Sequence, residues 1–286
     1  MPGTKPASNM AALISVAILF LASGCAMPDP ADDARARTQL WASGRGFATL
    51  PLRAGGFELF ALVRQSGPVQ TQTVYIEGDG APWATPYHPP RDPTPLEAVA
   101  LALAGADTAP AVAWLARPCQ YYSRAELAGC DPAYWTERRF ALEVIGAYDS
   151  AVTQLKTLSG AHKLRLVGYS GGGVIATLVA MRRLDIASVI TVAAPLSLSE
   201  WVAWHNLSPL AGSLDPSQQK SGRMPMSDMH FAGADDKIVP AEIVERFVRS
   251  NGGRMETVTG FDHNCCWTRD WLLLLNRAAR GTEEIK

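Results

Sequence analysis

Residues 164–178 read LRLVGYSGGGVIATL, an apolar run that passes through a serine flanked by glycines into a second apolar run. The pattern predicts a buried strand over 164–167, a sharp turn, and a helix from Gly172. Ser170 stands at the turn, inside a Gly-x-Ser-x-Gly pattern. Glycine neighbours let so tight a reversal close, because they tolerate backbone conformations that other residues avoid. The serine oxygen is therefore expected at the carboxyl edge of a sheet, above a helix N-terminus with free N–H groups.

The alternative interpretation of this stretch is a plain glycine-rich turn that contains a serine. Two nucleotide-binding patterns are excluded. No Lys-Ser or Lys-Thr follows the glycines, and their spacing does not fit a dinucleotide fingerprint.

The formal net charge of -1 leaves no basic footprint, so we expect no nucleic-acid partner. A length of 286 residues, 48% of them hydrophobic, suits one α/β domain with insertions.

The N-terminus predicts an export signal over residues 1–24. Lys5 gives it a positive start, and residues 11–22 are apolar apart from one serine, too short a run to span a bilayer comfortably. The run ends in Leu-Ala-Ser-Gly-Cys, which resembles the lipobox of bacterial lipoproteins, although Ala22 stands where leucine is usual. We expect cleavage before Cys25 and lipidation of that cysteine, which would anchor the protein to a membrane outside the cytoplasm. An ordinary signal peptide cut nearby, or a plain membrane anchor, is the alternative.

Residues 25–43 are polar and contain prolines and aspartates, which predicts a tether between the lipid and the domain at 44–286. Four cysteines follow it, and outside the cytoplasm they are prone to oxidation. Three full pairings are open. Cys119 with Cys130 closes a short loop and is the first choice, whereas a bond between neighbouring Cys265 and Cys266 would be strained, and cross-links between the two regions stay open. Their spacing is poor for zinc, and we predict neither a metal nor a cofactor.

Short apolar runs alternate with helix-length segments along the rest of the chain. Because the runs are apolar on both faces, they predict a mostly parallel sheet with helices on both sides. Predicted helices begin at Thr94, with a capping box completed by Glu97, and at Thr136, a capping threonine. The predicted strands are 47–52, 57–64, 74–77, 111–115, 164–167, 188–193, 230–232 and 255–258, and the predicted helices are 94–104, 136–158, 172–183, 241–250 and 267–280.

An acidic and a basic side chain also follow predicted strands. Asp236 stands in the loop after strand 230–232, with Asp235 as the second choice, and His263 stands in the loop after the last strand. Taken singly, these are an Asp-rich turn and a lone histidine, which is usually structural. Together with Ser170 they lie beyond the ends of strands in one sheet, in the order Ser, Asp, His.

This order and context resemble the α/β-hydrolase superfamily over roughly residues 45–280. The resemblance implies the α/β-hydrolase fold, with Ser170 as nucleophile, His263 as general base and Asp236 as the acid that orients it. The segments Glu-Gly-Asp-Gly, Arg-Pro-Cys-Gln and Gly-Tyr-Ser-Gly-Gly-Gly are also similar to those of uncharacterised bacterial lipoprotein hydrolases. That similarity implies no substrate.

Two loops carry further expectations. The strand at 74–77 leads into a glycine-rich loop, where a backbone N–H of Gly78 or Asp79 would join that of Gly171 in an oxyanion hole. Many relatives have histidine where this chain has Glu77, and a plain β-turn is the alternative. Residues 195–226 interrupt the strand–helix rhythm and predict a small cap or lid, with packing of a short surface helix as the alternative.

The sequence therefore predicts a serine hydrolase of the bacterial cell envelope that cleaves a small-molecule or lipid ester through an acyl-enzyme. Thioesterase, peptidase and acyltransferase activities remain open within this class. Two alternatives lie outside the hydrolase class. One is a non-catalytic binding protein on the same fold, and the other is a membrane-remodelling protein that acts through its lipid anchor.

Overall fold

The computed structural model describes residues 1, 3, 30–81, 88–219 and 224–283, and these ranges contain one sheet of eight strands. The order across the sheet is β1-β2-β4-β3-β5-β6-β7-β8. The pairs β1–β2 and β2–β4 are antiparallel, and all other neighbours are parallel. The strands are β1 Ala48–Ala54, β2 Phe57–Gln65, β3 Thr71–Ile76, β4 Ala111–Leu115, β5 Lys163–Tyr169, β6 Ile186–Val192, β7 Met224–Gly233 and β8 Gly252–Val258. The predicted mostly parallel sheet is confirmed.

Helices cover both faces of this sheet. They are α1 Pro30–Ser43, α2 Val99–Ala106, α3 Arg124–Leu127, α4 Leu142–Ser159, α5 Gly171–Ala180, α6 Leu198–Trp204, α7 Ala241–Asn251 and α8 Trp267–Glu283. Alternate side chains of a strand point to opposite faces. In β3, Val74 and Ile76 join the core under α4 and α5, whereas Tyr75 joins the core under α2 and α8. The central strands are therefore buried on both sides, as their continuous apolar character predicts.

Two helices begin later than the sequence predicts. Thr94 does not cap α2, because its hydroxyl oxygen accepts the backbone N–H of Tyr121 at 2.7 Å. The helix starts at Val99 instead. Thr136 likewise follows a short 3-10 helix, Pro132–Trp135, and α4 starts at Leu142. Thr94 and Thr136 are residue types that favour a helix start. In the structure, however, Thr94 is used in a tertiary hydrogen bond and Thr136 in a turn.

The segment predicted as a tether, residues 25–43, also differs from expectation over most of its length. Residues 30–43 form α1, whose last turn is packed on the domain. Ala42 is buried, and a Cβ placed on Gly105 would lie 2.5 Å from the Trp41 ring. Because the residues near position 30 are polar, the sequence gives no indication that the end of this segment packs on the domain. Cys25 and the predicted signal peptide, apart from residues 1 and 3, lie outside the described residues.

The four cysteines after Cys25 form two disulfides. Cys119 is bonded to Cys130, which was the first choice from the sequence. Cys265 is bonded to its neighbour Cys266, against the expectation for that pair.

Within 30–81, 88–219 and 224–283, no helix has the length and apolar character needed to cross a bilayer. The same ranges hold no cluster of His, Cys, Asp and Glu side chains suited to a metal ion.

Two glycine substitutions test the close packing of α5 against the sheet. A Cβ on Gly172 would lie 2.1 Å from the carbonyl oxygen of Ile76, whereas a Cβ on Gly146, which is exposed in α4, would contact nothing within 4 Å. We expect Gly172→Ala to lower the free energy of unfolding by at least about 2 kcal/mol through overpacking. Gly146→Ala should raise it by about 0.5–1 kcal/mol, because alanine favours the helix. Urea unfolding measures both, and equal effects would contradict this packing.

Candidate active site

Ser170 sits at the strained turn between β5 and α5. Its backbone has φ 50° and ψ −125°, a positive φ that is unusual for a residue with a side chain. The flanking glycines allow the chain to close around it. A Cβ on Gly168 would lie 2.3 Å from the carbonyl oxygen of Gly172, and no side chain fits there. The glycine pattern thus reflects direct backbone contact, which holds Ser170 at the edge of the sheet.

Ser170, His263 and Asp236 come together as a connected hydrogen-bonded chain. The Nε2 atom of His263 lies 3.1 Å from Ser170 Oγ, and its Nδ1 atom lies 2.9 Å from Asp236 Oδ2. Asp236 is buried, and its Oδ1 atom accepts the backbone N–H groups of Ile238 and Val239, each at 2.8 Å. The carboxylate is therefore fixed in the orientation that accepts a proton-bearing Nδ1 and leaves Nε2 to face the serine.

The neighbouring Asp235 does not take part in this chain. It is exposed, and its backbone N–H donates to the carbonyl oxygen of Phe261 at 2.9 Å. That bond joins the loop after β7 to the loop after β8. The two loops that carry Asp236 and His263 are therefore held to each other by the backbone as well as by the side chains.

The His263 loop is held from the protein interior. The Tyr169 hydroxyl lies 3.0 Å from the His263 carbonyl oxygen and 2.9 Å from Asn264 Oδ1. The indole N–H of Trp267, the first residue of α8, lies 3.0 Å from the same carbonyl. Asp262 accepts the backbone N–H groups of the two residues after His263, and these hydrogen bonds lower the pKa of its carboxyl. The loop that carries the His263 imidazole is thus held in place by hydrogen bonds with Tyr169, Trp267 and Asp262.

Glu77, at the end of β3, is a buried carboxylate with four N–H partners. Its Oε1 atom accepts the N–H groups of Gly78 at 3.0 Å and Ala100 at 3.3 Å. Its Oε2 atom accepts the N–H of Leu101 at 3.2 Å and the indole N–H of Trp114 at 3.0 Å. Burial raises the pKa of Glu77, and these hydrogen bonds partly oppose that shift. Glu77 thereby caps α2 from a strand, which explains why that helix needs no cap of its own.

This arrangement bears on the predicted oxyanion hole. The Gly78 N–H is already bonded to Glu77, so it is not free to bind a substrate oxygen. For the Asp79 N–H, the described residues offer no acceptor. Gly171 is the first residue of α5, where a backbone N–H has no partner within the helix. Of the three predicted donors, the geometry therefore favours Asp79 and Gly171 over Gly78.

The Asp79 side chain is clamped by two arginines. Arg117 Nη1 lies 2.7 Å from its Oδ1 atom, and Arg139 Nη1 lies 2.8 Å from its Oδ2 atom. Burial raises the pKa of Asp79, but the charges and hydrogen bonds of Arg139 and Arg117 outweigh it and hold the pKa below its usual range. A Cβ on Gly171 would lie 1.9 Å from Asp79 Oδ1, so this carboxylate rests directly against the turn at Ser170. The clamp fixes the loop backbone relative to Ser170.

Sequence reasoning missed the roles of Glu77, Arg117 and Arg139. In the sequence, Glu77 stands out only as a departure from histidine, and Arg117 only as part of the Arg-Pro-Cys-Gln segment. Arg139 is the least visible, because it falls inside a segment that the sequence assigns to a helix. No local pattern in the sequence marks either arginine as a partner of Asp79, because both contacts join segments that are distant along the chain.

A cavity of about 450 Å³ opens at Ser170 and His263. Its polar lining includes Asp79 and Arg139. Its apolar lining includes Pro195, Trp201, Ile238 and Val239. The Trp201 indole N–H donates to the Ile238 carbonyl oxygen at 2.7 Å, which joins α6 to the Asp236 loop. The predicted lid at 195–226 thus contributes a wall to this cavity, although residues 220–223 of it lie outside the described ranges.

Solved structures with this architecture are numerous. An α/β serine hydrolase homologue from Coxiella burnetii superposes with a TM-score of 0.53 at 16% identity, over 82% of this chain and 96% of the other. An esterase from Pyrococcus furiosus superposes with a TM-score of 0.59 at 13% identity, over 85% and 94%. The chain has the α/β-hydrolase fold.

A third structure shows how the fold varies. An α/β serine hydrolase from Xanthomonas campestris, described as having no lid, superposes on this α/β-hydrolase fold with a TM-score of 0.52 at 15% identity, over 83% of this chain and 94% of the other. No protein-family model matches the sequence, and no curated protein matches it either. At these identities the likeness establishes the fold, and the case for an activity rests on the site geometry.

A charge-removing substitution tests the role of Glu77. An amide in its place accepts fewer hydrogen bonds and directs its own NH₂ group at backbone donors, which leaves buried N–H groups unpaired. We expect Glu77→Gln to lower the free energy of unfolding by about 2 kcal/mol or more. Glu245→Gln, which alters an exposed ion pair with Arg249, should change it by less than about 0.5 kcal/mol. Denaturant titration at neutral pH compares the two, and a silent Glu77→Gln would argue against the cap.

Proposed function

We propose that this protein is a serine hydrolase that cleaves carboxylic esters through an acyl-enzyme intermediate. The observation that carries the proposal is the continuous chain from Ser170 Oγ through the His263 ring to Asp236, with distances of 3.1 and 2.9 Å. An isolated serine hydroxyl is a weak nucleophile, and an adjacent base oriented by a carboxylate is the arrangement that activates it.

The reaction proceeds in two halves. His263 takes the proton of Ser170 as the serine oxygen attacks the ester carbonyl, and the buried Asp236 stabilises the imidazolium that forms. The carbonyl oxygen becomes negative at this stage, and the N–H groups of Asp79 and Gly171 stabilise it. His263 then gives its proton to the departing alcohol. In the second half, water attacks the acyl-enzyme with His263 again as base, and Ser170 is regenerated.

We also propose that the enzyme works outside the cytoplasm, attached to a bacterial membrane by lipid on Cys25. The support is the lipobox-like sequence and the disulfide between Cys119 and Cys130, which favours an oxidising compartment. Thioester or amide cleavage uses the same machinery, so a substrate panel must separate these activities from ester hydrolysis.

An activity-based probe tests for an activated serine. We expect a fluorophosphonate to label the native protein, and we expect Ser170→Ala and His263→Ala to abolish labelling. Turnover of nitrophenyl esters should fall by several orders of magnitude in both variants, by analogy with losses of about a million-fold in other serine hydrolases. His162→Ala, at an exposed histidine, serves as the control. Absence of labelling in a folded native protein would overturn the proposal.

The two adjacent aspartates offer a sharper comparison. Asp236→Asn preserves the shape of the side chain but favours the wrong histidine tautomer, so we expect kcat to fall by about 10⁴-fold. Asp235→Asn changes an exposed neighbour and should leave kcat within about twofold of native, because the charge it removes is screened by solvent. Steady-state kinetics on one nitrophenyl ester measures both, and equal losses would show that the acid is misassigned.

The anchor is tested by cell fractionation. We expect the native chain in the membrane fraction and Cys25→Ser in the soluble fraction or retained with an uncleaved signal. A Cys25→Ser variant that is processed normally and stays membrane-bound would contradict the lipid anchor and favour another form of attachment.

A further inference from the structure

A second cavity, of about 380 Å³, adjoins the one at Ser170. The two cavities share a wall of five residues, which are Pro95, Leu96, Glu97, Val99 and Asn264. The opposite wall of the second cavity is α1, through Ala34, Arg37, Thr38 and Trp41. Its volume lies in the range of small-molecule sites. Neither the proposed triad nor the proposed oxyanion donors line this space, so the chemistry alone does not account for it.

The direction of proton transfer indicates which part of an ester this cavity would receive. When the bond between the carbonyl carbon and the alcohol oxygen breaks, the electron pair stays on that oxygen and the proton comes from His263 Nε2. The departing oxygen must therefore lie beside the imidazole. Asn264 follows His263 directly and lines both cavities. An alcohol group that extends past the imidazole along the residues common to both cavities would point toward the second cavity.

The linings of the two cavities differ in a way that suits two parts of one substrate. The residues that line only the active-site cavity include the polar groups around the triad and, on one side, Pro195, Trp201, Ile238 and Val239, an apolar group suited to an acyl chain. The second cavity combines polar and apolar groups. The polar members are Arg37, Thr38, Glu97, Asn264 and Thr268, and the apolar members include Trp41, Val99 and Leu101.

We propose that the second cavity binds the alcohol portion of the ester, and that this alcohol is amphipathic, with hydroxyl or other polar groups on an apolar body. The inference rests on the proposed function, and it goes further by assigning a leaving-group subsite to α1. Trp41 offers an aromatic face, and the flanking hydroxyl, amide and charged groups offer both hydrogen-bond donors and acceptors. A simple alkyl alcohol would use only the apolar part of this lining.

The test uses two esters that share one acyl group, chosen as the best in the nitrophenyl panel. One is the methyl ester, and the other is the ester of phenyl glucoside at its primary hydroxyl. Ala34→Trp places an indole into the second cavity from α1. We expect the ratio of kcat/KM for the glucoside ester to that for the methyl ester to fall by at least about tenfold. Ala36→Trp carries the same bulk on an exposed face of α1 that does not line the cavity, and its ratio should equal that of the native protein.

A second variant and a second measurement distinguish a filled cavity from a misfolded protein. Ala102→Phe intrudes from α2, the opposite side of the same cavity, and should lower the same ratio. Free phenyl glucoside should inhibit methyl ester hydrolysis competitively in the native protein, with an inhibition constant raised at least about tenfold in either filled variant. Fluorophosphonate labelling of each variant shows whether the serine remains activated.

The outcomes separate the two proposals. Hydrolysis of neither ester by the native protein would overturn the proposed function and this inference with it. Hydrolysis of both esters, with a ratio that Ala34→Trp and Ala102→Phe leave at the native value, would overturn the subsite alone. A ratio that falls equally in Ala36→Trp would also overturn it, because the effect would then come from α1 in general and not from the cavity.

Discussion

The site depends on one buried negative charge, the Glu77 carboxylate at the end of β3. A buried carboxylate is costly unless its lone pairs are occupied, and here four N–H groups occupy them. These groups belong to the loop at Gly78, to the start of α2 and to Trp114 in β4. None of them can move without exposing an unpaired charge to the core. The loop next to Ser170 is therefore fixed before any substrate binds, as electrostatic stabilisation of a transition state requires.

The second constraint is the ion-paired Asp79. Its carboxylate rests against Gly171, close to where an oxyanion would form, and an uncompensated negative charge there would oppose catalysis. The two guanidinium groups of Arg117 and Arg139 bind that carboxylate and compensate its charge. Arg117 also donates to the Arg139 carbonyl oxygen at 2.7 Å, which ties the segment before α4 into the same cluster. The loop next to Ser170 is thus held in place by the ion pairs of its Asp79 side chain.

The sequence predicts the parts of this site that depend on local patterns, and it does not predict those that depend on contacts between distant segments. Ser170, Asp236 and His263 each follow a strand, so the parallel sheet predicts that they meet at one edge. The start of α2 is different, because its N–H groups are satisfied by a carboxylate more than twenty residues earlier in the chain. No local capping pattern records such a bond, and the capping box at Thr94 is misleading for that reason. The choice between Gly78 and Asp79 as donor depends on the same non-local contact.

The chemistry and the selection of substrate are built from different parts of the chain. The strand ends and their loops carry the residues that react, whereas the cavity walls come from additions to the sheet. These additions are the segment around Trp201 after β6, and α1 before β1. Because α1 packs through Trp41 and Ala42 against the domain, it is a fixed wall and not a free tether. If the proposed function holds, changes in either addition would alter which esters fit while the hydrogen bonds among Ser170, His263 and Asp236 stay intact. On the proposed function, selectivity would therefore be separable from catalytic power, because α1 forms a wall of the proposed alcohol subsite and contributes nothing to the triad.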